Sequence, residues 1–308
     1  MIGRHWADRA RTLLLGDRER KGMIVLVILY LVLLDIALMY LTPFLYMLST
    51  MFKTTADLLD PTIRWVPTSF EWSNLRLAWE GLKFPEALKN SLLLSGSSAI
   101  GQVLFCSLAG YAFARLKFPG KNILFALLIF SFLIPPQTLI IPLYVLFKNL
   151  GLLGTHWGII LPALLGHGIR GALFVIIFRQ FFMTLPKELE DAALIDGAGP
   201  FRVYWRVMIP LAKPAIVVVF LFSFVWHWNE TFTTGMMLGG NDMPLSLSLY
   251  SLNKVLTGLY PDAEGGSFDL NETIRMAASF LIIMPPLIVY MIAQRWFVEG
   301  VERTGLVE

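Results

Sequence analysis

Long apolar stretches alternate with short polar ones along most of the chain. Apolar runs at roughly 23–48, 88–114, 123–147, 157–182, 214–234 and 274–297 reach or pass the ~20 residues that a helix needs to cross ~30 Å of hydrocarbon. A backbone in lipid must satisfy its own hydrogen bonds, so each run is predicted as a helix. The expectation is an all-α membrane protein: an N-terminal segment 1–22, a six-helix transmembrane domain 23–297 with a long loop 183–213 between its fourth and fifth spans, and a tail 298–308. The first run is longer than a signal-peptide core and no small-residue cleavage site follows it, so it is expected to remain as an anchor.

Composition supports a bilayer solvent: of 308 residues, 56% are hydrophobic and 15% charged, against about 25% charged in soluble domains. The net charge is only +3, so the placement of the cations matters more than their sum. With both termini inside, and Arg179, Arg275 and Arg295 at the ends of their runs counted with the adjoining segments, sixteen Lys and Arg fall on the inner segments and seven on the outer ones, which leaves Lys89 and Arg170 within spans. That excess predicts cytoplasmic termini. No nucleic-acid partner is expected.

Several chemistries are excluded by motif. The one cysteine, Cys106, lies in an apolar stretch, which leaves no disulfide framework and no cysteine metal site. No Gly-x-x-x-x-Gly-Lys-Ser/Thr loop, His-Glu-x-x-His or Gly-x-Ser-x-Gly occurs, so the chain is expected neither to bind ATP in the usual manner nor to catalyse a reaction. Gly166-His-Gly-Ile-Arg-Gly171 matches Gly-x-Gly-x-x-Gly literally, but it lies within a span with no preceding strand. Its small residues, like Ser97 and Gly101, read as sites of close helix packing.

Polar residues inside apolar runs stand out, because a charge at the centre of a span costs roughly 2.5–3.5 kcal/mol on insertion scales. Asp35 lies in the first run, Gln137 in the third, His167 and Arg170 in the fourth, and His227, Asn229 and Glu230 in the fifth. A cavity for sugars needs such hydrogen-bonding groups beside aromatic faces such as Trp226 and Trp228. Asp35, Gln137, Trp226, His227, Trp228, Asn229 and Glu230 are therefore candidate pathway residues; pairing for structure is the competing reading. Pro135-Pro136, Pro142 and Pro285-Pro286 predict kinks in the third and sixth spans. The outer segments 49–87 and 235–273 carry Pro61, Pro67, Pro244, Pro261, Gly265 and Gly266. Composition leaves them open as solvated connections or as docking surfaces.

Loop 183–213 reads as two short helices. Pro186 suits the first turn of one, Glu188, Glu190 and Asp191 place negative charge near its positive end, and Gly197 suits its C-terminal cap. Pro200 opens a second, in which Phe201, Tyr204, Trp205 and Met208 are spaced for one apolar face. Ala192, Ala193 and Gly197 would let another protein approach the backbone closely.

Asp191, Ala192, Ala193, Gly197, Val207, Ile209 and Pro210 stand at the spacings Glu-Ala-Ala, three residues, Gly, nine residues, Ile, one residue, Leu-Pro. In this the chain resembles the binding-protein-dependent permeases of ABC importers, in the maltose-type sugar branch. Asp for Glu, Val for Ile and Ile for Leu are the departures. Ala112-Phe-Ala-Arg-Leu-Lys-Phe-Pro-Gly120, Gly151-Leu-Leu-Gly154, Trp228-Asn-Glu230 and the stretch from Gln294 to Glu308 look like further landmarks of that family.

The resemblance implies a type I ABC importer permease fold whose loop is a cytoplasmic coupling helix seated in an ATPase cleft, with Glu190 and Asp196 beside the motif in that contact. It implies a second permease, two copies of a cytosolic ATPase that hold the ATP and Mg, an extracytoplasmic solute-binding protein, surrounding lipid and a sugar cargo, in a bacterial inner membrane. Two other readings remain: a secondary transporter coupled through Asp35 or Glu230, and a membrane receptor or assembly factor. No internal repeat supports the first, and the elbow that the two short helices of loop 183–213 would form argues against the second.

Overall fold

A computed structural model describes residues 16–17, 20–261 and 272–305. Most of segment 1–22, together with Gly265, Gly266 and the end of the tail, lies outside the described residues. Apart from a two-residue antiparallel pair, Gly16–Asp17 with Arg20–Lys21, the described structure is helical. The chain divides into two compact units, Met1–Leu75 with Asn271–Phe280, and Arg76–Leu270 with Leu281–Glu308.

In the first unit, α1 (Met23–Thr50) is apolar all round and exposes its hydrophobic side chains. Such a helix has no packed stripe of its own and suits a lipid environment. After it the chain folds back on itself. Lys53 is buried and donates from Nζ to the carbonyls of Ile63 and Arg64, both at 2.9 Å. Asp57, in α2 (Thr55–Leu59), accepts from the Thr68 hydroxyl and amide at 2.6 and 3.0 Å. The Asn74 amide, at the start of α3 (Ser73–Gly81), donates to the carbonyls of Met51 and Lys53 at 3.1 and 2.9 Å. This segment, one of the two expected on the outside, is thus held in a defined fold by its own hydrogen bonds.

The second unit is built around α4 (Phe84–Arg115). Next come α5 (Lys121–Leu133) and α6 (Pro136–Asn149), then α7 (Trp157–Leu164) and α8 (Gly171–Thr184). The elbow follows, then α12 (Lys213–Asn229), α13 (Phe232–Leu238) and α14 (Leu245–Leu259), while α15 (Glu272–Gly305) ends the described chain. Helices α7, α8 and α12 pack on α4. Small residues set the approach: a Cβ on Gly101 would lie 2.8 Å from Leu164, and one on Gly110 2.6 Å from Phe178. Phe174, Phe178, Phe182, Val203, Tyr204 and Met208 are buried together in the core.

Among the described residues three helices are long and apolar enough to span a bilayer, α1, α4 and α15; counting each bent pair as one span raises this to five. The third predicted span bends by 101° where Pro135 and Pro136 interrupt it. The fourth is not one helix but two, α7 and α8, separated by residues 165–170. By contrast α15 keeps its continuity through Pro285 and Pro286 and past residue 297. Its physical basis is a substitute donor. Pro286 has no N–H for the carbonyl of Ile282, and the Trp228 indole N–H supplies one at 3.1 Å.

Candidate coupling site

The elbow begins with α9 (Glu188–Ile195), whose first turn holds Glu188, Glu190 and Asp191. Pro186 stands just outside it, before the cap residue Lys187. At the other end Gly197 adopts φ +77°, its N–H bonds to Leu194 at 3.0 Å, and the Ala198 N–H reaches back to the Ala193 carbonyl at 3.0 Å. This is the Schellman closure that a glycine permits. Gly199 is extended and Pro200 opens α10 (Pro200–Val203), as its spacing predicts.

The second half departs from expectation. Tyr204–Met208 forms a π turn before α11 (Ile209–Leu211). A π turn bonds i→i+5, and packing divides the predicted single apolar face between buried and exposed positions. Tyr204 and Met208 are buried, whereas Phe201 is 68% and Trp205 43% exposed.

What holds the elbow is one stripe of α4 that sequence reasoning did not single out: Ser107, Tyr111 and Arg115, each four residues from the next. The Ser107 and Tyr204 hydroxyls are 2.7 Å apart. Tyr111 donates to the Glu190 carboxylate at 3.1 Å. Arg115 Nε lies 3.7 Å from the other Glu190 oxygen, and the same guanidinium donates to the carbonyls of Phe182 and Leu185. The Arg115 side chain is only 6% exposed, so this anchor lies within the protein. A polar residue every fourth position on an apolar helix is the signal that could have revealed it.

The motif residues sort themselves by exposure. Asp191, Ala192, Asp196, Gly197 and Pro210 are exposed, and Ile195 beside them is 86% exposed. Glu190 turns inward, while Ala193, Val207 and Ile209 are half-buried against the core. A Cβ at Gly197 would meet no other atom within 4 Å, so the room beside it lies outside this chain.

A second polar assembly sits within about two turns of the middle of α4. Fully buried Gln102 donates to the carbonyls of His167 and Ile169 at 2.7 and 2.9 Å and accepts from the Ser223 hydroxyl at 2.6 Å. These bonds satisfy backbone groups freed by the break between α7 and α8, as irregular backbone within an apolar run requires. Gly166 and Gly168 take positive φ there, so the glycine run serves the break as well as packing.

The proposed pathway residues differ in exposure. Asp35 on α1, Gln137 on α6 and Asn229 on α12 are exposed; Trp226 and Glu230 are half-buried. The Glu230 carboxylate accepts from the Thr233 amide at 2.8 Å. His227 and Trp228 are buried within the chain, His227 Nδ1 lying 2.8 Å from the Ser223 carbonyl.

A multi-pass helical permease with an anchored elbow is the class that this fold defines. Residues 104–303 match the family model described as "Binding-protein-dependent transport system inner membrane component", and the chain belongs to that family. It is 30% identical over 269 residues to a probable ABC transporter permease protein of Pyrococcus horikoshii, covering 86% of this chain and 92% of that one. It is 30% identical over 241 residues to the sn-glycerol-3-phosphate transport system permease protein UgpE of Yersinia pestis, covering 76% and 81%. Among solved structures it is similar to a bacterial ABC transporter involved in the import of the acidic polysaccharide alginate, with a TM-score of 0.75 and 25% identity over 91% of this chain and 98% of that one. The chain is thus a membrane permease subunit of a binding-protein-dependent ABC importer.

Proposed function

We propose that this permease pairs with a second, similar permease to form the pathway of an ATP-driven carbohydrate importer in a bacterial inner membrane, both termini cytoplasmic. Two copies of a separate cytosolic ATPase hold the ATP and Mg, and an extracytoplasmic solute-binding protein delivers the cargo. The observation that carries this reading is the elbow: it is fastened to α4 through Glu190 and Tyr204 and presents Asp191, Ala192, Ile195, Asp196, Gly197 and Phe201 outward. An ATPase cleft that closes on this outer face moves α4 through the inner anchors, and alternating access follows. A carbohydrate or polyol phosphate as cargo agrees with the names of the similar proteins, one for sn-glycerol 3-phosphate and one for alginate. Asp35, Gln137, Trp226, Asn229 and Glu230 would line the pathway, with His227 and Trp228 supporting them from behind.

The test is purification of the tagged chain from its host in mild detergent. A Walker-motif ATPase and a second permease are expected to co-elute. Gly197→Trp, whose indole would occupy the open space beside the turn, is expected to release the ATPase and cut uptake at least tenfold while the chain still inserts in the membrane. Normal uptake by this variant would overturn the coupling role. A lone chain active in ATP-free vesicles under an ion gradient would replace the reading with secondary transport.

A further inference from the structure

Between α7 and α8 the break ends on Arg170, whose φ of +59° is left-handed. A residue with a Cβ holds that conformation only where its surroundings impose it. They do so here. Gln102 clamps the carbonyls of His167 and Ile169 on either side of Gly168, and a Cβ at Gly171 would lie 2.4 Å from the Gly166 carbonyl oxygen.

The consequence is where the guanidinium goes. It lies over Trp226, 5.5 Å from the ring centroid, and Trp226 is itself stacked with Phe174 and Phe222 at 5.6 and 5.5 Å. Among the described residues the ion pairs are Arg76 with Glu80 and Arg115 with Glu190, so Arg170 has no carboxylate partner there. It is exposed on this chain. A permanent cation in a membrane segment is costly and is retained for a function. Stacking on an aromatic face occupies the plane of the guanidinium but leaves its edge N–H groups free, and that edge is a fork matched to a carboxylate or phosphate.

We propose that Arg170, held over Trp226 by the Gln102 clamp, binds the carboxylate or phosphate group of the cargo, which makes the cargo an anionic carbohydrate. This rests on the carbohydrate-importer reading and adds the charge of the substrate to it. Neutral sugars have no group to balance the cation, whereas an acidic one supplies the counter-ion that Arg170 lacks among the described residues.

The test uses the complete transporter with its binding protein in proteoliposomes. Probes are sn-glycerol 3-phosphate, glucuronate and an alginate trisaccharide, set against glycerol, glucose and maltotriose. ATP-dependent uptake of at least one acidic probe is expected, and Arg170→Gln should raise its KM at least tenfold, with Arg170→Lys intermediate. Arg170→Gly, which accepts the left-handed backbone, should behave as Arg170→Gln does and separates lost charge from a disturbed turn. Uptake of neutral probes alone overturns this proposal and leaves the importer reading standing. An unchanged acidic-probe KM in Arg170→Gln also overturns it, and assigns the cation to a lipid phosphate or a partner permease's carboxylate. An assembled transporter that moves none of the six probes with ATP overturns both readings.

Discussion

Trp228 gives its indole N–H to the carbonyl of Ile282, the acceptor that Pro286 leaves without its helical donor. Trp228 is 2% exposed and Ile282 buried, so neither group can turn to water instead. Trp228→Phe leaves that carbonyl unsatisfied and is expected to destabilise the protein by about 1–3 kcal/mol. Thermal unfolding in detergent should show a lower Tm. In a Pro286→Ala background, where the helix regains its own N–H donor, the same substitution should cost less; equal losses in the two backgrounds would break the link between the residues.

Arg115 and Glu190 fasten the elbow from within. Arg115→Leu leaves the Glu190 carboxylate with only the Tyr111 hydroxyl, and removing one member of a buried pair costs about 3–5 kcal/mol. The elbow should then become accessible to trypsin at Lys187, Arg202 and Arg206. Combining Arg115→Leu with Glu190→Leu should recover part of the loss, because no uncompensated charge remains. A double variant cleaved faster than Arg115→Leu alone would count against this account.

Asp57 supplies a pH dependence outside the membrane segments. The Thr68 hydroxyl, and then the Thr68 and Thr54 amides, hold its carboxylate below the ordinary carboxylate value, with a further contribution from Lys53. A lowered folded pKa contributes stability that is present above the unfolded value of about 3.9 and is lost as pH falls through the folded value. Acidification should therefore loosen the folded-back segment around Trp65, followed by its fluorescence. Thr68→Val should move the onset of that change to higher pH. An onset unmoved in Thr68→Val would remove Asp57 from the explanation.

Much of the elbow was legible from local rules. Gly197 and Pro200 each impose a backbone geometry whatever surrounds them, and both stand where spacing placed them. Spacing put Phe201, Tyr204, Trp205 and Met208 on one apolar face, and packing decided that Tyr204 and Met208 meet the core while Phe201 and Trp205 stay exposed. That α15 continues unbroken through Pro285 and Pro286 does not follow from their missing N–H groups. The sequence neighbourhood contains no sign of the tryptophan 54 residues away that bonds the Ile282 carbonyl.

The sequence by itself determined the solvent, the helical class, the apolar runs and the family motif of the elbow, since each depends on transfer energy or on backbone preferences within a few residues. Tertiary structure decided which polar groups in those runs serve structure and which stay available. Gln102 and Ser223 are 121 residues apart and share a hydrogen bond, while Arg170 was left without a carboxylate among the described residues. A buried hydrogen bond is short and directional, so its partner is chosen by the packing of helices. Residue type and position cannot choose it in advance.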